Sequence, residues 1–194
     1  MKKVALCFMC VLLGLSSRAQ EYPGNEISLT YGGISVPYVA VSVAGIFGSI
    51  IASVITDGEV TLEHVGTSGN ISTQYYHNIN PHFGFGAEVV YERCSMVFTG
   101  QNSTSVNFLT IMPSMKGRWF QRQAFGMYSR ASLGVSTTII PIFELIDGTT
   151  PLEGGLGYHV VPFGMSFGSK NLKGVCEIGI GMGPMASVGL VYGF

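Results

Sequence analysis

The sequence is short of charge. Lysine, arginine, aspartate and glutamate make up 11% of its 194 residues, against roughly 25% in an ordinary soluble domain. The 10 basic and 11 acidic residues leave a formal net charge of −1. They form no basic block or patch, so nucleic acid is excluded as a partner, because phosphate binding needs such a footprint. Of the four cysteines, none belongs to a group with metal-site spacing. There is no phosphate loop and no dinucleotide fingerprint. No serine sits in a nucleophile elbow, and His64, His77, His82 and His159 join no serine–carboxylate set by spacing. The chain is therefore expected to be non-catalytic and to carry no cofactor and no metal. Apart from two short stretches, membrane-spanning helices are missing as well.

Apolar character spread thinly along the chain is what the sequence has instead. Mean hydropathy is +0.40, and 27 residues are glycine. The first of the two apolar stretches is N-terminal. Lys2 and Lys3 precede an apolar run from Val4 to Leu15, and Ser17-Arg18-Ala19 puts small residues where signal peptidase reads them. Cleavage after Ala19 is expected, giving a leader over 1–19 and a mature domain over 20–194. The run is too short for a retained anchor helix. Cys10 lies inside it rather than at its end, which argues against a lipoprotein signal. Cys7 and Cys10 leave with the leader. Cys94 and Cys176 fall at different depths on non-adjacent strands, so no disulfide is expected.

The second apolar stretch is Tyr38 to Ile55, closed by Asp57-Gly58. Its length is marginal for a span, and glycine, alanine and serine are frequent in it; an extra strand is the other reading. Helical spacing gives an apolar stripe of Val39, Val43, Ile46, Ile50 and Val54 beside a small, polar stripe of Ser42, Gly45, Ser49 and Ser53. This predicts a short amphipathic helix in the first loop, capping a barrel mouth or lying on a membrane surface.

Elsewhere the period is two. Glu26, Ser28 and Thr30 alternate with Ile27, Leu29 and Tyr31. A second strand is expected over about Asn70 to Asn78, turning at Ile79-Asn80-Pro81. In the third, Phe83, Phe85, Ala87, Val89 and Tyr91 share one face and Gly84, Gly86, Glu88, Val90 and Glu92 the other. A polar loop from Thr99 to Thr104 follows. The fourth carries Leu109, Ile111, Pro113, Met115 and Trp119 outward, with Thr110, Ser114, Lys116 and Arg118 inward. After a turn at Gln121-Arg122-Gln123, the fifth alternates from Phe125 to Ser136 with Tyr128 and Arg130 inward. A longer loop spans about Ile140 to Glu153. Strands six (Gly155 to Gly168), seven (Gly174 to Met182) and eight (Ala186 to Phe194) are joined by turns at Ser169-Lys170-Asn171 and Gly183-Pro184. Long or polar connections alternate with short ones. The predicted fold is all-β: an eight-stranded antiparallel transmembrane β-barrel. Pro113 and Pro162 lie within strands of a barrel that has no edge, so bulges are expected at both.

The last strand ends Ala186-Ser187-Val188-Gly189-Leu190-Val191-Tyr192-Gly193-Phe194. At this point the chain resembles outer-membrane barrels, whose last strand ends in phenylalanine. More narrowly, LTIMPSMKGRW (Leu109 to Trp119), FGMYSRASLGV (Phe125 to Val135), VPFGMSFG (Val161 to Gly168) and Val175 to Phe194 look like the small outer-membrane barrels of Bacteroidetes, of OmpA/OmpX type. The resemblance covers most of the mature chain through diffuse patterns. It implies a bacterial outer-membrane location, outer-membrane lipid as surroundings, and contact with the barrel insertion machinery through Phe194. It implies no activity. A monomer is expected.

Two sets of residues stand out. Phe83, Trp119, Phe120, Phe125, Phe167, Tyr192 and Phe194 cluster near the short turns and read as an aromatic girdle at the periplasmic interface. Glu88, Glu92, Lys116, Arg118, Arg130 and Glu177 fall on inward faces, where charges in a narrow lumen need partners. If the third and fourth strands pair about the 101–103 loop, Glu88 lies opposite Lys116. The expectation is a salt-bridge layer that plugs the barrel. The leading functional reading is a structural or surface-interaction protein with Tyr38 to Ile55 as recognition element. Two others remain: transport or sensing of a small apolar ligand, with Gly154 to Gly157 loosening the wall, and a lipid-modifying enzyme.

Overall fold

The computed structural model describes residues 23–55, 61–99, 104–122, 124–139 and 153–194. The expected leader and most of the two loops expected at Thr99–Thr104 and Ile140–Glu153 lie outside the described residues. Eight strands form one closed antiparallel barrel, each bonded to the next in sequence and the last to the first. They are β1 (Asn25–Gly32), β2 (Leu62–Asn80), β3 (Phe83–Phe98), β4 (Thr104–Gln121), β5 (Phe125–Ile139), β6 (Glu153–Gly168), β7 (Leu172–Gly181) and β8 (Ala186–Gly193). One helix, α1 (Val36–Ile55), lies between β1 and β2. At the seam Asn25 and Phe194 exchange both backbone hydrogen bonds, each 2.9 Å.

Period-two alternation sets the two faces. Along β1, Glu26, Ser28, Thr30 and Gly32 are buried while Ile27, Leu29 and Tyr31 are exposed. Along β8, Ser187, Val191 and Gly193 turn in while Val188, Leu190 and Tyr192 turn out. The barrel is thus inverted relative to a water-soluble domain: buried polar and charged side chains outnumber buried apolar ones. Among the described residues, the outward positions of the wall carry no aspartate, glutamate, lysine or arginine until Arg93, which follows Tyr91 on β3. On β3 this uncharged zone runs from Phe83 to Tyr91, a height of about 21 Å at about 3.4 Å per residue and a tilt near 40°.

The wall is uneven. β1 ends at Gly32, opposite Asn70 and Ser187, but β2 and β3 stay paired up to Leu62 and Phe98. This taller part was not expected for β2, because the alternation changes phase at Gly69. There the register shifts between Thr67 and Asn70. Gly69 has φ +86°, and Tyr31 lies over it, its hydroxyl donating to the Ser68 carbonyl at 3.1 Å. A side chain at 69 would be strained and would collide with the ring.

The two prolines behave differently. Around Pro162 the register shifts against both β5 and β7, the bulge expected there. At Pro113 the expected bulge is absent. β4 keeps one register with β3 through Ala87↔Pro113. With β5 it resumes at Ser114↔Ser132 after Ile111↔Val135, with no shift. Gly134 makes this tolerable: a Cβ there would stand 2.2 Å from the Ile111 carbonyl oxygen, so β5 can press close to β4 beside the proline. Gly134→Ala is expected to lower stability by ~1–3 kcal/mol, the usual effect of overpacking, read as a shift of the urea midpoint.

Helix α1 starts at a built cap. Ser35 is buried; its Oγ accepts from Tyr38 N at 3.2 Å and its carbonyl from Val39 N at 3.1 Å, the N-cap arrangement. A Cβ on Gly45 would meet Met96, Leu62 and Val65, so the small stripe faces β2 and β3. Val39, Val43, Ile46, Phe47, Ile50 and Ile51 are exposed. No helix among the described residues is long and apolar enough to cross a membrane.

Candidate functional site

The barrel interior gathers every sequence-predicted lumen charge. Glu88, Glu92, Lys116, Arg118, Arg130 and Glu177 are all buried inside the wall. They are arranged in levels along the barrel axis.

The middle level centres on Arg130 of β5. Its Nη1 donates to Glu88 Oε2 of β3 at 2.6 Å; its Nε and Nη2 donate to Oε1 and Oε2 of Glu177 on β7, at 3.0 and 2.8 Å. One guanidinium therefore bridges three strands, with a bidentate grip on Glu177. Hydroxyl groups meet most of the other lone pairs. Ser72 and Ser132 donate to Glu88 at 2.8 and 2.7 Å, Tyr128 and Ser187 to Glu177 at 2.7 and 3.3 Å. His159 of β6 adds a contact from Nδ1 to Glu88 Oε1 at 3.0 Å. Burying charge is tolerated here because each carboxylate meets a cation and several donors.

Below it, toward the short turns, Glu26 of β1 accepts from Lys116 Nζ at 3.0 Å and Arg118 Nη2 at 2.8 Å. Arg118 also donates to Asn78 Oδ1 at 2.6 Å. The Lys116 ammonium lies 4.3 Å from the centre of the Tyr128 ring and 5.2 Å from that of Tyr76. These cation–π contacts tie the lower level to the middle one.

Above, Glu92 accepts from Ser35 Oγ and from Thr67 Oγ1. Among the described residues it has no ion-pair partner. The carboxylate thus fastens the start of α1 into the barrel mouth.

The expected pairing of Glu88 with Lys116 is corrected. Glu88 faces Met112, and Lys116 faces Gly84. The hairpin is centred two residues before the assumed turn, its pairing ending at Met96↔Thr104. Barrel closure then offers Glu88 partners across the interior, on β5 and β6, that adjacent-strand reasoning does not reach. Sequence reasoning also left out Glu26, His159 and Lys173, all buried. Glu26 lies on the polar face of β1 with Ser28 and Thr30. Lys173 lay one residue outside the expected seventh strand.

On the outer wall, Phe83, Trp119, Phe167, Tyr192 and Phe194 are exposed near the short-turn end, while Phe120 and Phe125 are half-buried. Tyr192 and Phe194 stack at 6.1 Å, Phe120 and Phe125 meet at 6.0 Å, and Trp119 meets Phe163 edge-on at 5.8 Å. Tyr31, Tyr91 and Tyr158 form a second exposed aromatic set higher on the wall. The sequence carries no local signal for this set, because its members are single tyrosines on separate strands.

As chemistry, the hydrogen bonds among the described residues of the interior hold charged groups in place. The Nε2 of His159 is buried with no hydrogen-bond partner among the described residues, although Glu88 orients the other ring nitrogen. Cys94 is inside, Cys176 is half-buried, and both are free thiols. The described residues contain no cluster of metal-ligating side chains. At Gly154 to Gly157, β5 and β6 pair without a break from Gly134↔Gly157 to Thr138↔Glu153. No protein-family model matches the chain, and no curated protein matches it.

Proposed function

We propose that this chain is a non-catalytic outer-membrane β-barrel protein with a plugged interior, serving a structural or surface-interaction role. The observation that carries the reading is the inversion of the barrel. Most of the charges are buried and paired inside, while Leu29, Leu133, Val135, Ile178 and Leu190 are more than half exposed on the uncharged zone of the wall. A wall of this kind is unfavourable in water over so large an area and suits hydrocarbon, where all backbone groups are satisfied by closure. The uncharged zone approaches the ~25 Å apolar band of such barrels. Aromatic sets at its two margins suit the interfaces. The short turns, the start of β1 and the end of β8 then face the periplasm, and α1 faces outside. The ion-paired levels fill the narrow lumen, so the barrel acts as a solid post and its exterior loops as the contact surface.

Conductance tests the plug. In planar bilayers the refolded protein is expected to give no steady channel. A triple variant with Arg130, Glu88 and Glu177 changed to alanine is expected to give openings. Sustained conductance from the unaltered protein would rule out the plugged reading.

A further inference from the structure

The interior charges are unevenly distributed along the axis, and one of them is left over. Lys173 points inward from β7 near the short turns and is 8% exposed. Among the described residues its ammonium has no carboxylate within ion-pair distance. The register explains why. Lys173 sits between Val191 of β8 and Gly168 of β6, and the next inward positions are Val175 and Ser166. None is acidic. Glu26, the acid of that level, is already held by Lys116 and Arg118. Three buried cations thus share one carboxylate, whereas Glu92 at the far end has none of the cations. Arg122 and Lys170 lie in the β4–β5 and β6–β7 connections at this same end, adding to its positive field. An ammonium withdrawn from water with only a share of one distant counter-charge is unfavourable.

We propose that the short-turn mouth of the barrel binds a phosphate-type oxyanion, with Lys173 as its principal ligand. The tetrahedral anion supplies the charge that the wall does not. It enters from the end where the positive groups converge. The inference rests on the closed barrel and its interior, and stands or falls separately from the membrane reading.

The test uses the mature chain refolded in a zwitterionic detergent. Its Tm is followed against millimolar inorganic phosphate, with sodium chloride at matched ionic strength as reference. A second arm replaces free phosphate by phosphatidylglycerol vesicles, with phosphatidylcholine vesicles as reference. The expected result is a Tm that climbs with phosphate and not with chloride. In Lys173→Met the apparent affinity falls about tenfold or more, the worth of one charge-assisted hydrogen bond. A rise with phosphatidylglycerol alone would assign the oxyanion to a lipid headgroup and still support the site. Val191→Glu places a carboxylate directly across from Lys173 and is expected to abolish the response while the barrel stays folded on unboiled gels. No response in either arm, an equal response to chloride, or a response unchanged in both variants would overturn the proposal.

Discussion

Arg130→Met is expected to lower the stability of the folded barrel by ~3–5 kcal/mol, the effect of removing one member of a buried ion pair. The loss comes from what stays behind. Glu88 and Glu177 both face Arg130 and are themselves 0% and 3% exposed. Without the guanidinium, two carboxylates share an interior with too few cations. Methionine fills the volume, so little of the effect comes from a cavity. The measurement is the urea midpoint in lipid vesicles. Adding Glu177→Gln to Arg130→Met is expected to recover part of the loss, because it removes one stranded charge. A change below about 1 kcal/mol, typical of exposed pairs, would mean that the interior is wet and the levels are not a plug.

The second large effect belongs to the outer wall. Leu29 lies midway up β1, between Leu190 of β8 and Thr73 of β2, and is 56% exposed. In a soluble protein Leu29→Arg would stay within about 0.5 kcal/mol of neutral, as exposed substitutions do. Against hydrocarbon it is expected to cost ~2–4 kcal/mol, the figure for arginine near the bilayer midplane. The same urea titration reads it. Leu29→Met serves as the control and is expected to be near neutral. These two variants separate the inside of the wall from the outside, since each is damaging for the opposite reason.

Most of the fold was legible in the sequence because a side-chain period of two survives in the outward and interior faces alike. β1, β3 and β8 could be drawn residue by residue. What escaped was local. Gly69 breaks the phase of β2, hiding the segment up to Leu62, and Gly134 absorbs Pro113 without the expected bulge. The charged residues of the site were legible as inward-facing, but their partners were not. Pairing across a closed barrel joins β3 to β5 and β6, and β1 to β4, and neither sequence distance nor strand adjacency encodes those meetings. α1 was readable from its stripes. Its cap, Ser35 held by Glu92, needed the three-dimensional placement of β3 beneath it.

The chain has a single tryptophan, and it stands on the outer wall, 55% exposed, its indole N–H donating to Ser129 Oγ at 3.1 Å. Its fluorescence in phospholipid vesicles is therefore the most direct probe of where the wall sits. Emission from Trp119 should be blue-shifted relative to the urea-unfolded chain, quenched by lipids brominated on the upper acyl chain, and shielded from aqueous iodide. Emission matching that of the unfolded chain, quenched by iodide and untouched by brominated lipid, would contradict a barrel whose exterior meets the membrane.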